Sequence, residues 1–315
     1  MKKVKQKYFY IFLKLFLIVL TTALFLQTSF ANLQNPREMN NILIYSNIDY
    51  YSQDEDNSKI TTGSSSERRS HLLDIYQPKD CKLCPVIIYI HGGYWVLGDK
   101  GGLSYKAKAF TDNGYIYISI NYSLAPDYQF PVNAQDVAQA FFWVKNNITG
   151  YGGDAEQIYL LGHSAGGHLA ALIGLDGRYL SPFSLSPSDI SGIIGLDSAA
   201  YYLPSLIEAE PENKDLFYWA FGDNPEDWEK ASPINYVREK QKGQIVPPFL
   251  LLVAGGREVS KSVNLSFYQR LIDSYYEVTL LEFKEKDHVS IDYELGEEDD
   301  PVFPSIIYWL HEHEL

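Results

Sequence analysis

The sequence is poor in basic residues and in cysteine. Its 315 residues include 26 Lys and Arg against 40 Asp and Glu, which gives a formal net charge of −14. So acidic a chain repels phosphate backbones and anionic lipid, which argues against nucleic-acid partners and against standing electrostatic attachment to a membrane. No further Cys or His pair at ligand spacing accompanies its two cysteines, so a zinc site is not expected.

The first 31 residues have the pattern of a secretory signal peptide. Four lysines within residues 2–7 precede an almost wholly apolar stretch at 8–26, and residues 29–31 (Ser-Phe-Ala) place small side chains at the −3 and −1 positions of a cleavage site. The alternative is an uncleaved membrane anchor, although the apolar stretch after Lys14 is too short to span comfortably. We predict a protein exported to the periplasm or beyond, with no stable membrane attachment after cleavage.

The two cysteines, Cys81 and Cys84, form a C-x-x-C pair that precedes a predicted strand. A thioredoxin-like redox motif would instead open a helix after a strand. In an exported protein we expect a local structural disulfide. Two free thiols, a redox pair and half a metal site are the alternatives.

The rest of the chain predicts one large α/β domain. Residues 32–70 form a predicted N-terminal extension that is partly disordered, in which the Ser-rich residues 52–70 are typical of a loop. Apolar strands separated by helical patterns then fill residues 71–315, which predicts a mostly parallel central sheet covered on both faces. Residues 200–236, rich in Tyr, Trp, Pro and acids, are too long for a plain connection and predict a small helical cap.

The individual elements follow from apolar runs and helical spacing. Predicted strands are 72–76, as an edge strand, 85–90, 115–121, 158–161, 190–196, 249–253 and 278–283; predicted helices are 131–147, 165–174, 262–274 and a segment from 304 to the C-terminus.

The strongest motif is Gly162-His163-Ser164-Ala165-Gly166, which matches G-x-S-x-G. A strand (IYLL) precedes it and a helix (HLAALIGL) follows it, as the motif requires. The sharp turn from strand to helix leaves a serine hydroxyl exposed at the strand end, and the helix N-terminus behind it favours developing negative charge. We predict Ser164 as a nucleophile rather than part of a plain turn.

A second motif, His91-Gly92-Gly93-Tyr94-Trp95, follows the strand PVIIYI directly. Acyl transfer builds an oxyanion, for which main-chain N–H groups must already be in place. The motif is similar to the H-G-G-G loop that supplies such donors. The predicted oxyanion donors are Gly93 and Tyr94, with Gly92 as a further candidate, together with Ala165. His91 is interpreted as a residue that holds the loop, because the base comes last in the chain order of this arrangement.

The predicted base is His288, which follows the strand VTLLEF in a polar loop. Its place after the serine and after a carboxylate suits the order Ser, acid, His. The other histidines are predicted to pack locally beside the nucleophile or to lie on the surface: His163, His168, His71, His311 and His313.

A carboxylate is needed to orient His288 and to stabilise its imidazolium. Glu258 is the first choice, because it lies just beyond the strand PFLLLVAG, in the stretch Gly-Gly-Arg-Glu. Asp197, which follows the preceding strand, is the alternative. Asp154, in the turn before the elbow strand, is interpreted as a turn former.

These motifs resemble those of the esterase and lipase members of the α/β-hydrolase superfamily, and most closely the kynurenine formamidase-like and feruloyl-esterase-like carboxylesterases. The resemblance covers about residues 70–313 and implies a triad of Ser164, Glu258 and His288, although the family's acid is usually Asp. The stretches that carry it are HGGYW (91–95), NYSLAP (121–126), GHSAGGHLAAL (162–172), FGDNPEDWEKASPINY (221–236) and DHVSID (287–292).

The predicted activity is two-step acyl transfer from a small or aryl carboxylic ester, with no metal or organic cofactor. The expected partner is a small-molecule ester or amide substrate. Alternatives are an arylformamidase acting on N-formylkynurenine, a peptidase, and an inactive hydrolase fold used as a binding module. Such modules usually lose the serine, the histidine or the oxyanion glycines, and all are present here.

Overall fold

The computed structural model describes residues 36–51, 70–101 and 104–314. The predicted signal peptide and residues 52–69 of the Ser-rich stretch therefore lie outside the described residues. From Pro36 onward the chain forms one compact unit.

A nine-stranded sheet organises this unit, in the order β1-β2-β3-β5-β4-β6-β7-β8-β9. The strands from β5 onward in that order pair in parallel, whereas β1, β2 and β3 are antiparallel to their neighbours. The strands are β1 Arg37–Met39, β2 Ile42–Asp49, β3 Leu72–Pro78, β4 Cys84–Ile90, β5 Ile116–Ile120, β6 Gly153–His163, β7 Gly192–Leu196, β8 Phe249–Ala254 and β9 Val278–Phe283.

Helices cover both faces of the sheet, as predicted. They are α1 Tyr105–Asp112, α2 Val132–Asn147, α3 Ala165–Leu175, α4 Leu203–Ala209, α5 Lys214–Phe221, α6 Pro225–Ala231, α7 Glu258–Asp273, α8 Ser290–Tyr293 and α9 Val302–Glu312. Within the described ranges, no helix has both the length and the apolar character needed to cross a membrane.

Successive side chains of the central strands point to opposite faces of the sheet and therefore enter two separate hydrophobic cores. On β4, for example, Ile88 joins the core beneath α2, α3 and α7, whereas Ile87 joins the one beneath α1 and α9. Strands β5, β7 and β8 are buried at every position, because helices lie against both of their faces. The continuous apolar runs in the sequence are the direct consequence of this burial.

The N-terminal part of the sheet differs from prediction. Residues 37–49, assigned to a partly disordered extension, form β1 and β2, so the sheet begins before residue 71. As a result β3 pairs on both sides and is not an edge strand. The physical reason is that β2 is buried at only half of its positions, so its apolar pattern is weak. The sequence pattern also misses helix α1, and α7 begins four residues earlier than predicted.

Two further predictions can be compared with the structure. Residues 200–236 contain α4, α5 and α6 with two 3-10 turns between and after them, which matches the helical cap expected from composition. Cys81 and Cys84 are joined in a disulfide bond, as expected for this pair, rather than being two free thiols.

Candidate active site

Ser164 lies at the turn between β6 and α3, at the carboxyl edge of the parallel strands. Its backbone has a positive φ, with φ 52° and ψ −115°. A non-glycine residue holds such a conformation only where its surroundings enforce it. Here the Ser164 N–H donates to the carbonyl of Leu196 (3.0 Å), and the Ser164 carbonyl accepts from the His168 N–H (3.2 Å). The turn therefore fixes the position from which the hydroxyl projects.

The glycine at the end of the G-x-S-x-G motif allows this turn to lie against the sheet. A Cβ placed on Gly166 would lie 2.0 Å from the carbonyl oxygen of Ile90, the last residue of β4. No side chain fits at that distance. The motif thus requires glycine because helix α3 begins in direct contact with the neighbouring strand.

His288 meets Ser164 as predicted. The His288 Nε2 lies 3.1 Å from the Ser164 Oγ, across 124 residues of sequence. The loop that carries His288 is held by Asp287, whose carboxylate accepts from the main-chain N–H groups of Val289 and Ser290, each at 2.8 Å. These bonds lower the pKa of Asp287 and keep its carboxylate charged.

The carboxylate that meets His288 belongs to Asp197. Its Oδ2 lies 2.7 Å from the His288 Nδ1, and its side chain is fully buried. Its Oδ1 accepts from the Ala254 N–H (3.1 Å) and from the Ser260 hydroxyl (2.5 Å). Burial raises the pKa of Asp197, but hydrogen bonds from His288 and Ser260 outweigh that effect, so its pKa lies below the usual value and the carboxylate stays ionised.

The choice of Glu258 as the acid is therefore wrong. Glu258 is the first residue of α7 and its side chain is exposed to solvent. Gly256 adopts φ +79° in the loop between β8 and α7, and the residue of this loop that contacts His288 is Arg257. At a helix N-terminus its negative charge is favourable, which explains the residue without any role at the triad.

The predicted oxyanion loop lies against Ser164. A Cβ on Gly92 would lie 3.2 Å from the Ser164 Cβ, so the main chain of this loop passes directly beside the hydroxyl. Gly93 adopts φ +116°, and its carbonyl accepts from the N–H groups of Val96 and Leu97, each at 3.0 Å. The predicted donors Gly92, Gly93 and Tyr94 thus belong to the loop beside Ser164, and Ala165 is the first residue of α3. Their role as oxyanion donors stays a prediction.

Three side chains hold the loop from behind. His91 is buried, and its Nδ1 lies 2.7 Å from the Gly92 carbonyl, which agrees with its interpretation as a loop-holding residue. Trp95 is buried and donates from Nε1 to the His168 Nδ1 (3.1 Å). The His168 Nε2 in turn lies 2.7 Å from the Ala231 carbonyl in the cap, and burial lowers the pKa of His168 to about 4. His168 is thus a neutral structural link.

A cluster at the cap side of the triad has no counterpart among the sequence predictions. The Arg257 guanidinium forms an ion pair with Glu210 and places its Nη1 3.3 Å from the His288 Nδ1. Glu210 also accepts from the Tyr94 hydroxyl (3.0 Å) and from the Asn213 amide (3.1 Å). Burial raises the pKa of Glu210, but the bonds from Arg257 and its neighbours outweigh that effect and lower the pKa, so Glu210 is ionised.

Among the residues that the structure describes, no three or more His, Cys, Asp or Glu side chains are grouped so that they could hold a metal ion. The chemistry that the site can perform with its own side chains is nucleophilic, because a serine hydroxyl lies within reach of an imidazole and a buried carboxylate lies behind that imidazole.

This fold and this arrangement of Ser, His and Asp define an α/β-hydrolase. More particularly, the chain belongs to the BD-FAE family, whose model matches residues 73–255, more than half of the chain. That range contains Ser164, Asp197 and the oxyanion loop, and ends before His288.

Curated relatives include the esterase LipQ of Mycobacterium tuberculosis, 34% identical over 58% of this chain and 45% of that protein. The isoprenylcysteine alpha-carbonyl methylesterase ICME of Arabidopsis thaliana is 30% identical over 57% of this chain and 44% of that protein. The chain thus spans about half the length of the curated relatives it matches.

Solved structures share the fold. A truncated carbohydrate esterase from gut microbiota is 21% identical, with a TM-score of 0.67, and the match covers 89% of this chain and 99% of that one. Esterase B from Lactobacillus rhamnosis is 18% identical, with a TM-score of 0.67 over 95% and 96% of the two chains. At these identities the likeness supports the fold class predicted from sequence.

Proposed function

We propose that this protein is a serine hydrolase that cleaves carboxylic esters of small or aryl substrates through an acyl-enzyme. The observation that carries the proposal is the continuous chain of contacts from Ser164 through His288 to Asp197, at 3.1 and 2.7 Å. Membership of the BD-FAE family and the esterases among its relatives support the same reaction.

In the first step, the Ser164 Oγ attacks the ester carbonyl while its proton passes to the His288 Nε2. Asp197 accepts the Nδ1–H of His288, so that Nε2 is the free acceptor before the reaction and the imidazolium is stabilised afterwards. The oxyanion lies between the loop of Gly92, Gly93 and Tyr94 and the first N–H of α3, at Ala165. Main-chain donors that already point at the oxyanion before the reaction lower the barrier, because no reorganisation is needed.

In the second step, the imidazolium gives its proton to the departing alcohol. Water then attacks the acyl-enzyme while the His288 Nε2 takes its proton. The imidazolium passes that proton to the Ser164 Oγ as the bond to the acyl group breaks, which releases the acid and regenerates the serine.

The size of the acyl group is proposed from the sequence resemblance to feruloyl-esterase-like carboxylesterases. A cavity of about 620 Å³ does lie beside the oxyanion loop, where Gly92 and Gly93 line it. Its lining includes charged side chains such as Asp99 and Lys106, and neither Ser164 nor His288 is part of it.

The test is a substrate panel combined with covalent trapping. The full-length chain, purified after expression with its leader, is assayed on p-nitrophenyl acetate, p-nitrophenyl butyrate, methyl ferulate and N-formylkynurenine. We expect turnover of at least one ester, and attachment of an alkyl phosphonate to the peptide that contains Ser164, detected by mass spectrometry. Preference for N-formylkynurenine would favour the arylformamidase alternative, whereas no turnover and no labelling would leave a binding module.

We also propose that the protein is exported. The leader pattern of residues 1–31 supports this, as does the Cys81–Cys84 disulfide, because such bonds persist in oxidising compartments. N-terminal sequencing of protein recovered from its host should begin at Asn32. Recovery of a chain that begins at Met1 would contradict cleavage.

A further inference from the structure

The Arg257–Glu210 pair is unusual in its position, because it places a second charged side chain against the imidazole of the triad. The Arg257 Nη1 is 3.3 Å from the His288 Nδ1 and 3.9 Å from the Asp197 Oδ2. A guanidinium can only donate hydrogen bonds, because it has no acceptor atom. The Nδ1 proton of His288 is directed to Asp197 at 2.7 Å, so the Arg257 contact is not a hydrogen bond to the ring but a cation held beside it.

Arg257 is held in that position by the cap. Its other terminal nitrogen bonds Glu210, the residue that follows α4, and the side chains of both partners are largely buried at 19% and 10% exposure. The same carboxylate of Glu210 bonds Tyr94 of the oxyanion loop and Asn213 of the cap. One carboxylate therefore joins the cap, the oxyanion loop and the loop that carries Arg257.

The charges around His288 come from several elements. Asp197 at the end of β7 is in contact with the ring, as is Arg257 before α7, and Glu210 of the cap acts on the ring through Arg257. On the other side, the His163 Nε2 bonds the His288 carbonyl, and burial lowers the pKa of His163 and keeps it neutral. Asp287 precedes His288 in its own loop.

We propose that Arg257 and Glu210 form a charge-matched positioning pair through which the cap controls the orientation and protonation of His288. The Arg257 guanidinium is in contact with the ring and the Glu210 carboxylate is paired with that guanidinium, so removal of either partner alone changes the net charge beside the ring. The inference rests on the proposed function of His288 as the base. The same contacts argue against binding of a substrate carboxylate by Arg257, because the carboxylates of Glu210 and Asp197 already lie beside its guanidinium.

The distinguishing measurement is the pH midpoint of the acid limb of kcat/KM, at fixed ionic strength. Arg257→Gln removes a cation from His288, so we expect its midpoint to move to higher pH by about half a unit or more. Glu210→Gln removes the carboxylate that is hydrogen-bonded to the guanidinium and leaves only Asp197 beside it, so the midpoint should move to lower pH. The double variant should return close to the wild-type midpoint.

A matched control is available one residue away. Glu258→Gln removes the same charge as Glu210→Gln, but from an exposed position at the start of α7. Its midpoint should stay within about 0.2 units of wild type, because solvent screens exposed charges. If Arg257→Gln does not fold, as judged by circular dichroism, Arg257→Lys and Glu210→Gln provide the comparison; Arg257→Lys keeps the charge and should move the midpoint less than Glu210→Gln does.

The protonation of His288 is also followed in the absence of substrate, through its proton resonance. The His288 Nδ1 proton, hydrogen-bonded to Asp197, should give a downfield proton resonance whose pH dependence shifts in the two opposite directions. This separates the two hypotheses: opposite shifts in the resonance without ester turnover would retain the positioning pair and contradict the proposed function. Shifts of the same sign in both single variants, or no shift in either, would overturn the positioning pair even if the wild type is an active esterase.

Discussion

Ser164→Ala is expected to abolish measurable ester hydrolysis, with a loss in kcat of about 10⁴–10⁶-fold. The reason is geometric. The Ser164 Oγ lies 3.1 Å from the His288 Nε2, and a water molecule in its place would lack the fixed direction of attack that the covalent attachment gives. The measurement is kcat on the ester that the wild-type protein hydrolyses fastest.

The fold of the variant should be unchanged, because Ser164 is held by its main chain, through the N–H to Leu196 and the carbonyl to His168. Unfolding midpoints of the two proteins in urea check this. A further comparison is His288→Ala, which should lose a similar amount, while the double variant should lose little more than either single one, because the two groups act as a unit. Wild-type turnover by Ser164→Ala would refute the assignment of the nucleophile.

The parts of the site that sequence predicts correctly are those with local sequence context. Ser164 is recognisable because glycine is needed where α3 meets β4, and because a strand precedes it and a helix follows. His288 is recognisable because it follows the last apolar strand pattern of the chain, that of β9. In both cases the residues that determine the position are neighbours in the chain.

The acid cannot be decided in the same way. Asp197 and Glu258 both follow buried parallel strands, β7 and β8, which are neighbours in the sheet. The order Ser, acid, His along the chain allows either residue to be the acid of the triad. What separates them is the direction of each side chain, and this depends on the positive φ of Asp197 (45°) and on the start of α7 at Glu258. Neither feature has a local sequence signature.

The Arg257–Glu210 pair is even harder to predict from local sequence. The two residues are separated by 47 positions, and Glu210 belongs to a cap whose sequence predicts helices but not their docking. Burial of an ion pair next to the imidazole is a tertiary property. Likewise, β2 is stabilised by pairing with β3, and β1 by pairing with β2, more than by their own sequence patterns, so composition alone assigns both to an extension.

Asp197→Asn is expected to lower kcat about 10³–10⁴-fold with little loss of fold. The amide oxygen of the new side chain can still accept from Ala254 and Ser260, so the local hydrogen bonds survive. Its amide nitrogen, however, carries hydrogens where the Asp197 Oδ2 accepts one. The His288 Nδ1 must then become an acceptor, which leaves the ring proton on Nε2, where it prevents the ring from taking the proton of Ser164. The measurement is kcat beside the urea unfolding midpoint.

The companion variant is Glu258→Gln, which changes carboxylate to amide at the position that chain order favours. Because that side chain is exposed at the start of α7, its kcat should stay within about twofold of wild type, as surface substitutions usually have small effects. The pair of variants makes the same chemical change at the ends of two adjacent strands. A large loss in Glu258→Gln with an active Asp197→Asn would restore the glutamate to the triad. The expected result instead places the acid on β7, one strand nearer to the nucleophile, where a carboxylate as short as aspartate reaches the imidazole.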